Sequence, residues 1–166
     1  MTTFIDSKTV APYGIDPDSL GFLISDMARL MRATFEREIE RANVPITTSE
    51  ARVLVHMARC GATRQHVLAE NLGLTPMSVT GFLDTLEKAG LVARAPDPAD
   101  RRAKIVTLTD AAQELLDRIA IAGRQVRTLA QAGLSDDQVV AFKSAALAIR
   151  ANLATERAAS RLEAAS

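Results

Sequence analysis

The residues best placed to do chemistry lie in one short run. Arg94, Arg101, Arg102 and Lys104 put four positive charges into eleven residues, answered by Asp97 and Asp100. Pro96, Asp97, Pro98 and Asp100 make the middle of the run a loop. A guanidinium on a loop tip suits a narrow, electronegative groove between phosphate strands. A carboxylate two residues earlier, as in Asp100-x-Arg102, can hold that guanidinium in one rotamer by a bidentate contact. A solvated charged turn is the plainer alternative, and the elements around the loop decide between them.

The loop is flanked by Leu91-Val92-Ala93-Arg94 and Lys104-Ile105-Val106-Thr107-Leu108, which read as two short strands of a hairpin. Two short helices precede it. Thr63 is placed to cap one over about 64–72, which Gly73 breaks. Thr75 caps the next, with Pro76 at the first helical position, and Gly90 stops it after about Ala89. Ala69 sits where these helices must approach, Gly73 supplies the sharp turn, and Val79 packs the second helix back on the first. Leu68, Leu72, Leu74, Phe82, Leu83 and Leu86 complete a small core. This spacing is what a helix-turn-helix needs, although an ordinary αα-hairpin also satisfies it.

If the second of these helices enters a major groove, its N-terminal residues face base edges. The set is Thr75, Pro76, Met77, Ser78, Thr80 and Gly81, with Asp84 one turn further on. Thr and Ser can donate or accept, and Met77 can meet a thymine methyl. No Arg or Lys lies between Thr75 and Glu87, and Asp84 and Glu87 would repel phosphates that they faced. The electrostatic grip must then come from the loop with Arg94, Arg101, Arg102 and Lys104.

Composition is consistent with a local rather than a global basic surface. The chain has 166 residues, 48% of them hydrophobic, and equal numbers of basic and acidic residues, 20 of each. A hydrophobic core is within reach and global disorder is excluded. One cysteine excludes an intramolecular disulfide. Residues 1–18 read as an irregular arm broken by Pro12, Gly14 and Pro17, neither a signal peptide nor a membrane anchor, so a cytoplasmic protein is expected. Residues 19–45 and 110–158 carry long helices. Leu20, Leu23, Ile24, Met27, Leu30, Met31, Phe35 and Ile39 recur at helical spacing in the first, and Ser135-x-x-Gln138 opens the last as a capping box. Thr47-x-x-Glu50 opens another helix that Gly61 ends, and Thr109 is expected to cap the helix over about 110–131. The terminal helices are apolar along wide stripes that a small domain has little room to bury on itself, so a homodimer is expected, with helices wrapping one monomer core as the plainer alternative. Residues 46–109 form the DNA-binding unit on this reading, and 159–166 a frayed tail.

From about Leu20 to Leu153 the chain resembles the MarR family of bacterial transcription regulators. The likeness is carried by Leu74-Thr75-Pro76-Met77-Ser78-Val79-Thr80, by Leu83-Asp84-Thr85-Leu86-Glu87-Lys88-Ala89-Gly90-Leu91-Val92-x-Arg94, by Asp97-Pro98-x-Asp100-Arg101-Arg102-Ala103 and by Leu108-Thr109. The resemblance implies a mainly α fold with a small β-hairpin: a winged helix-turn-helix domain with N- and C-terminal dimerisation helices. It implies binding of double-stranded DNA at a pseudo-palindromic operator by a homodimer, most often as a repressor relieved by a small molecule or an oxidant. It makes Arg102 the minor-groove residue and Asp100 its orienter. Two positions depart from the family pattern: Thr85 stands where an Arg or Lys reaches a phosphate, and Ala112 where a Gly is usual.

The same resemblance implies an effector, a small aromatic or lipophilic molecule, held near Met27, Met31, His56 and Met57. A half-buried packing role for His56 and a core role for the methionines are the plainer readings. Cys60 admits a thiol-based oxidation sensor, with a buried inert thiol the simpler expectation. A winged-helix protein-interaction module that binds no DNA is the alternative from another class. His56 and His66 are on different helices without a ligand cluster, so no metal is expected. No cofactor is expected either. No catalytic spacing stands out, so an enzyme is not expected.

Overall fold

A computed structural model describes residues 13–164; the part of the arm at 1–12 and the last two residues lie outside the described residues. The chain forms two compact units, one ending at Val126 and the other starting at Arg127.

The first unit begins with α1 (Leu20–Arg41) and α2 (Thr48–Cys60). The expected capping box opens α2: the Thr47 hydroxyl accepts from the Glu50 N–H, and the Glu50 carboxylate accepts from the Thr47 N–H at 2.7 Å. Between the two helices Asn43 adopts a left-handed φ of +47°, a conformation Asn tolerates better than most side chains. The Arg118 guanidinium secures this elbow, donating to the Ala42 carbonyl at 2.7 Å and the Asn43 carbonyl at 3.0 Å.

Next come β1 (Thr63–Arg64), α3 (Gln65–Leu72), α4 (Pro76–Lys88), β2 (Val92–Asp97) and β3 (Asp100–Leu108). The strands form one antiparallel sheet in the order β1-β3-β2, so β3 is central. Strand β1 is a departure from expectation. Thr63 and Arg64 pair with Val106 and Ile105, so Thr63 belongs to the sheet and the N-cap of α3 is Arg64. The hairpin is also longer than its apolar residues indicate. Strand β2 continues through Ala95, Pro96 and Asp97, leaving only Pro98 and Ala99 as the turn. Proline is tolerated there because β2 is an edge strand and the register shifts at Pro96/Asp97.

After β3 a single 3-10 turn (Asp110–Ala112) leads into α5 (Gln113–Ala130), which crosses the boundary between the units. Thr109 does not cap this turn with its side chain. Its hydroxyl donates to the Gly90 carbonyl at 2.6 Å and its N–H to the Leu91 carbonyl at 3.1 Å, tying the base of the hairpin to the end of α4. The core gathers α2, α3, α4 and the sheet around Leu54, Met57, Leu68, Val79, Leu83, Leu86 and Val106, with Ile119 and Ala122 from α5.

In the second unit, α6 (Asp136–Ala164) opens with the expected capping box, Ser135 and Gln138 each bonding the other's backbone N–H. It stays helical to Ala164, where a frayed end over 159–166 is expected from composition. Ala, Arg, Leu and Glu in that stretch are strong helix formers, and nothing there breaks a helix.

Candidate nucleic-acid interface

Helix α4 is placed by local chemistry and by its core. The Thr75 hydroxyl accepts from the Ser78 N–H at 3.1 Å, and Pro76 takes the first helical position. Gly73 turns the chain with a left-handed φ of +65°, strained for any other common residue, and the Leu74 N–H closes on the Ala69 carbonyl at 2.9 Å. Ala69, Val79, Leu83 and Leu86 are buried, so one face of α4 lies on α2 and α3. The opposite face, with Thr75, Pro76, Met77, Ser78 and Gly81, is exposed, and Met77 is 84% exposed. Thr80 is half-buried: it donates to the Pro76 carbonyl and accepts from the Gln65 amide at 2.6 Å.

Gly81 sits in the middle of α4, where it costs the helix about 1 kcal/mol relative to Ala. A Cβ there would meet no atom within 4 Å, so the protein itself does not require glycine. Gly81→Ala is therefore expected to raise stability in a urea titration. If the exposed face touches a duplex closely at this step, the same substitution lowers duplex affinity.

The acidic residues of α4 are neutralised from the hairpin. Arg94 on β2 contacts Asp84 at 2.7 Å and Glu87 at 2.5 Å, its side chain only 13% exposed. Its backbone N–H also donates to Glu87 at 3.2 Å. Arg94, expected among the loop cations, is instead folded back as a clamp between hairpin and helix. Repulsion of phosphates by Asp84 and Glu87 is offset by the same contact. The hydrogen bond from Arg94 holds the Glu87 carboxyl below its ordinary value of 4.5, and the hydrogen bonds Arg94 donates to Glu87 and Asp84 raise its own pKa. A depressed carboxyl contributes stability above its unfolded pKa and loses it as pH falls through its folded value. Melting temperature is therefore expected to fall below about pH 4.5, and Arg94→Gln to flatten that part of the profile in thermal melts at stepped pH.

Asp97 plays a part that the sequence reading overlooked. It is buried, accepts from the Arg64 Nε at 2.5 Å and from the Ala99 N–H at 2.8 Å. The Ala99 N–H, with the Arg64 contact beside it, holds its carboxyl below the ordinary 3.8. The hairpin turn is thus anchored to β1. The Asp97-Pro98 run signals a turn in sequence, but nothing local identifies Arg64 as its partner. Asp100, Arg101 and Arg102 are the first three residues of β3, directly after that turn, and Lys104 is exposed further along the strand.

The four effector-site candidates differ in their surroundings. Met27 and Met31 are exposed on α1 at 38% and 45%, while Met57 belongs to the core. His56 is buried, and its Nε2 has no hydrogen-bond partner among the described residues. Burial, with Arg59 nearby, lowers its pKa below 6.5, so the ring is neutral at pH 7. A cleft of about 360 Å³ lies elsewhere, lined by Glu38, Arg41, Ala42, Arg118, Ile121, Ala122 and Gln125. Cys60, expected to be buried, is exposed, because the last residue of α2 projects beyond the core. Among the described residues no group of three or more metal-ligating side chains is present, and no helix is long and apolar enough to cross a membrane.

Comparison with known proteins bears on this geometry. The family model described as the MarR family matches residues 46–104. The chain is 25% identical over 142 residues to the HTH-type transcriptional repressor NicR of Pseudomonas putida, covering 82% of this chain and 90% of that protein. It is 30% identical over 100 residues to the HTH-type transcriptional regulator MT0903.1 of Mycobacterium tuberculosis, covering 60% and 70%. Among solved structures, a mutant MarR of E. coli complexed with operator DNA superposes with a TM-score of 0.63 at 21% identity, covering 78% of this chain and 92% of that one. BpsR of Bordetella bronchiseptica, whose DNA binding is regulated by 6-hydroxynicotinic acid, superposes at 0.66 with 24% identity, covering 84% and 98%.

Proposed function

Because the chain belongs to the MarR family of transcriptional regulators, we propose that it is a homodimeric repressor that binds a pseudo-palindromic DNA operator in the cytoplasm and releases it when a small molecule binds. The observation that carries the reading is the pairing of an exposed α4 face with a hairpin whose turn leads into Asp100, Arg101 and Arg102. The helix fits a major groove, and the hairpin reaches the neighbouring minor groove. Thr75, Pro76, Met77, Ser78, Gly81 and, through its clamp, Asp84 form the first contact set of this reading. Thr80 shapes it, and Arg101, Arg102 and Lys104 supply charge.

The dimer is supported by apolar surface left in water. Leu20, Leu23, Ile24, Met27, Leu30 and Met31 on α1 are all at least 38% exposed. On α6, Val140, Phe142 and Leu153 are at least 59% exposed. The α1 residues recur at helical spacing along one stripe, and an exposed apolar stripe marks an interaction face. On this reading residues 19–45 and 110–158 supply the dimer contacts. Two copies related by a two-fold axis present their α4 helices to half-sites about 34 Å apart.

Repression is supported by the likeness to NicR, and ligand control by the likeness to BpsR. The effector of this reading is a small aromatic or lipophilic molecule contacting Met27, Met31 and His56, with Met57 packed beneath. The buried, neutral His56 ring supports it, since its Nε2 can bond a polar group on such a ligand.

Fluorescence anisotropy with a duplex from the chain's own promoter tests the proposal. Binding that weakens steeply with salt is expected. A dimeric protein with no affinity for any such duplex would sink it and leave the protein-interaction reading, which the lack of Arg and Lys from Thr75 to Glu87 favours. The exposed Cys60 keeps the thiol-sensor reading open to one check: peroxide releases the duplex from the wild type but not from Cys60→Ser if that reading holds.

A further inference from the structure

We propose, on the duplex-binding reading above, that Met77 selects sequences by touching the 5-methyl group of thymine, so that apolar contact rather than hydrogen bonding carries the base preference of α4. Apart from Lys88 in its last turn, the polar side chains of this helix are already engaged. The Thr75 and Ser78 hydroxyls bond each other at 2.9 Å, leaving one proton between them for any outside acceptor. The Thr80 hydroxyl donates to the Pro76 carbonyl and accepts from Gln65. The Thr85 hydroxyl donates to the Gly81 carbonyl at 3.2 Å. Asp84 and Glu87 are held by Arg94.

Met77 stands apart from this network. It is 84% exposed, against 42% for Val55, the other exposed large apolar side chain among the described residues between 46 and 109. Gly81 lies one turn further along the same face, and a Cβ there would meet nothing within 4 Å. The unbranched thioether chain therefore has open space beside it and freedom to follow a groove floor. Among the four standard bases only thymine presents a methyl group in the major groove, and it sits at the groove's outer edge where an apolar side chain reaches it.

A duplex selected from a randomised library provides the probe, with each thymine replaced singly by deoxyuridine. That change removes the methyl and leaves every hydrogen-bonding group in place. Wild-type protein is expected to lose about fourfold in affinity per half-site at one symmetric pair of thymines, the value of one buried methyl group. Met77→Ala is expected to bind both probes equally, and Met77→Leu to retain the preference; circular dichroism confirms the fold of both. Equal wild-type affinity for thymine and uracil at every position, or discrimination that survives in Met77→Ala, overturns the proposal. Failure to bind any selected duplex overturns the duplex-binding reading itself, so the two failures are distinguishable.

Discussion

Arg102→Ala is expected to weaken binding to a cognate duplex on the order of a hundredfold while leaving the oligomeric state unchanged. A single Arg contact to DNA is worth about 1–3 kcal/mol, and a two-fold symmetric complex loses it twice. Arg102 follows the turn at residues 98–99 by three positions, in the strand that the sheet holds at its centre. Thermal unfolding is expected to move little, and a melt of the variant checks that its fold is kept. If Arg102 neutralises a phosphate, the slope of log affinity against log salt also becomes shallower, by about two for the dimer. Anisotropy titrations at several salt concentrations, with the mass checked by light scattering, give the answer. Wild-type affinity in the variant would refute the assignment of the hairpin as a DNA contact.

The second large effect is expected from the opposite side of the interface. Leu83 is fully buried where α4 meets α2 and α3. Leu83→Ala removes buried methyl groups and leaves a cavity, at a cost of about 2–5 kcal/mol. That is a large share of the roughly 5–15 kcal/mol that keeps a domain folded. The urea midpoint is expected to fall with the slope unchanged, while Leu83→Met, nearly equal in volume, should cost below about 1.5 kcal/mol. Protein concentration must be held constant, since folding and association are linked in a dimer. A midpoint unmoved by Leu83→Ala would mean that α4 is not held by this contact. Taken together, the two substitutions separate gripping from positioning: one weakens binding in a stable protein, the other lowers stability first.

Much of this arrangement is legible in the chain before any coordinates. Thr75 and Pro76 start α4, Gly73 and Gly90 bound its neighbourhood, and the box of Thr47 and Glu50 opens α2, because each signal acts within a few residues of itself. What escapes is what depends on distant partners. Strand β1 is two residues long and exists only because β3 is beside it, so Thr63 and Arg64 carry no strand signal of their own. Arg94 reads as one more cation of a basic loop, yet the fold brings it onto Asp84 and Glu87 across the hairpin base. Asp97 reads as a turn former, and only the fold supplies Arg64, thirty-three residues away. In both cases the sequence shows the charges, and tertiary geometry decides which of them are spent within the protein.

The hold of Arg118 on the Ala42 and Asn43 carbonyls has a mechanical consequence. The chain leaves α1 through an elbow already fixed by a left-handed residue, and a rigid planar guanidinium on α5 braces it at two points. The connection between α1 and α2 is thereby tied to α5 as well as to its two flanking helices, and a substitution of Arg118 would leave the elbow held by its own backbone alone.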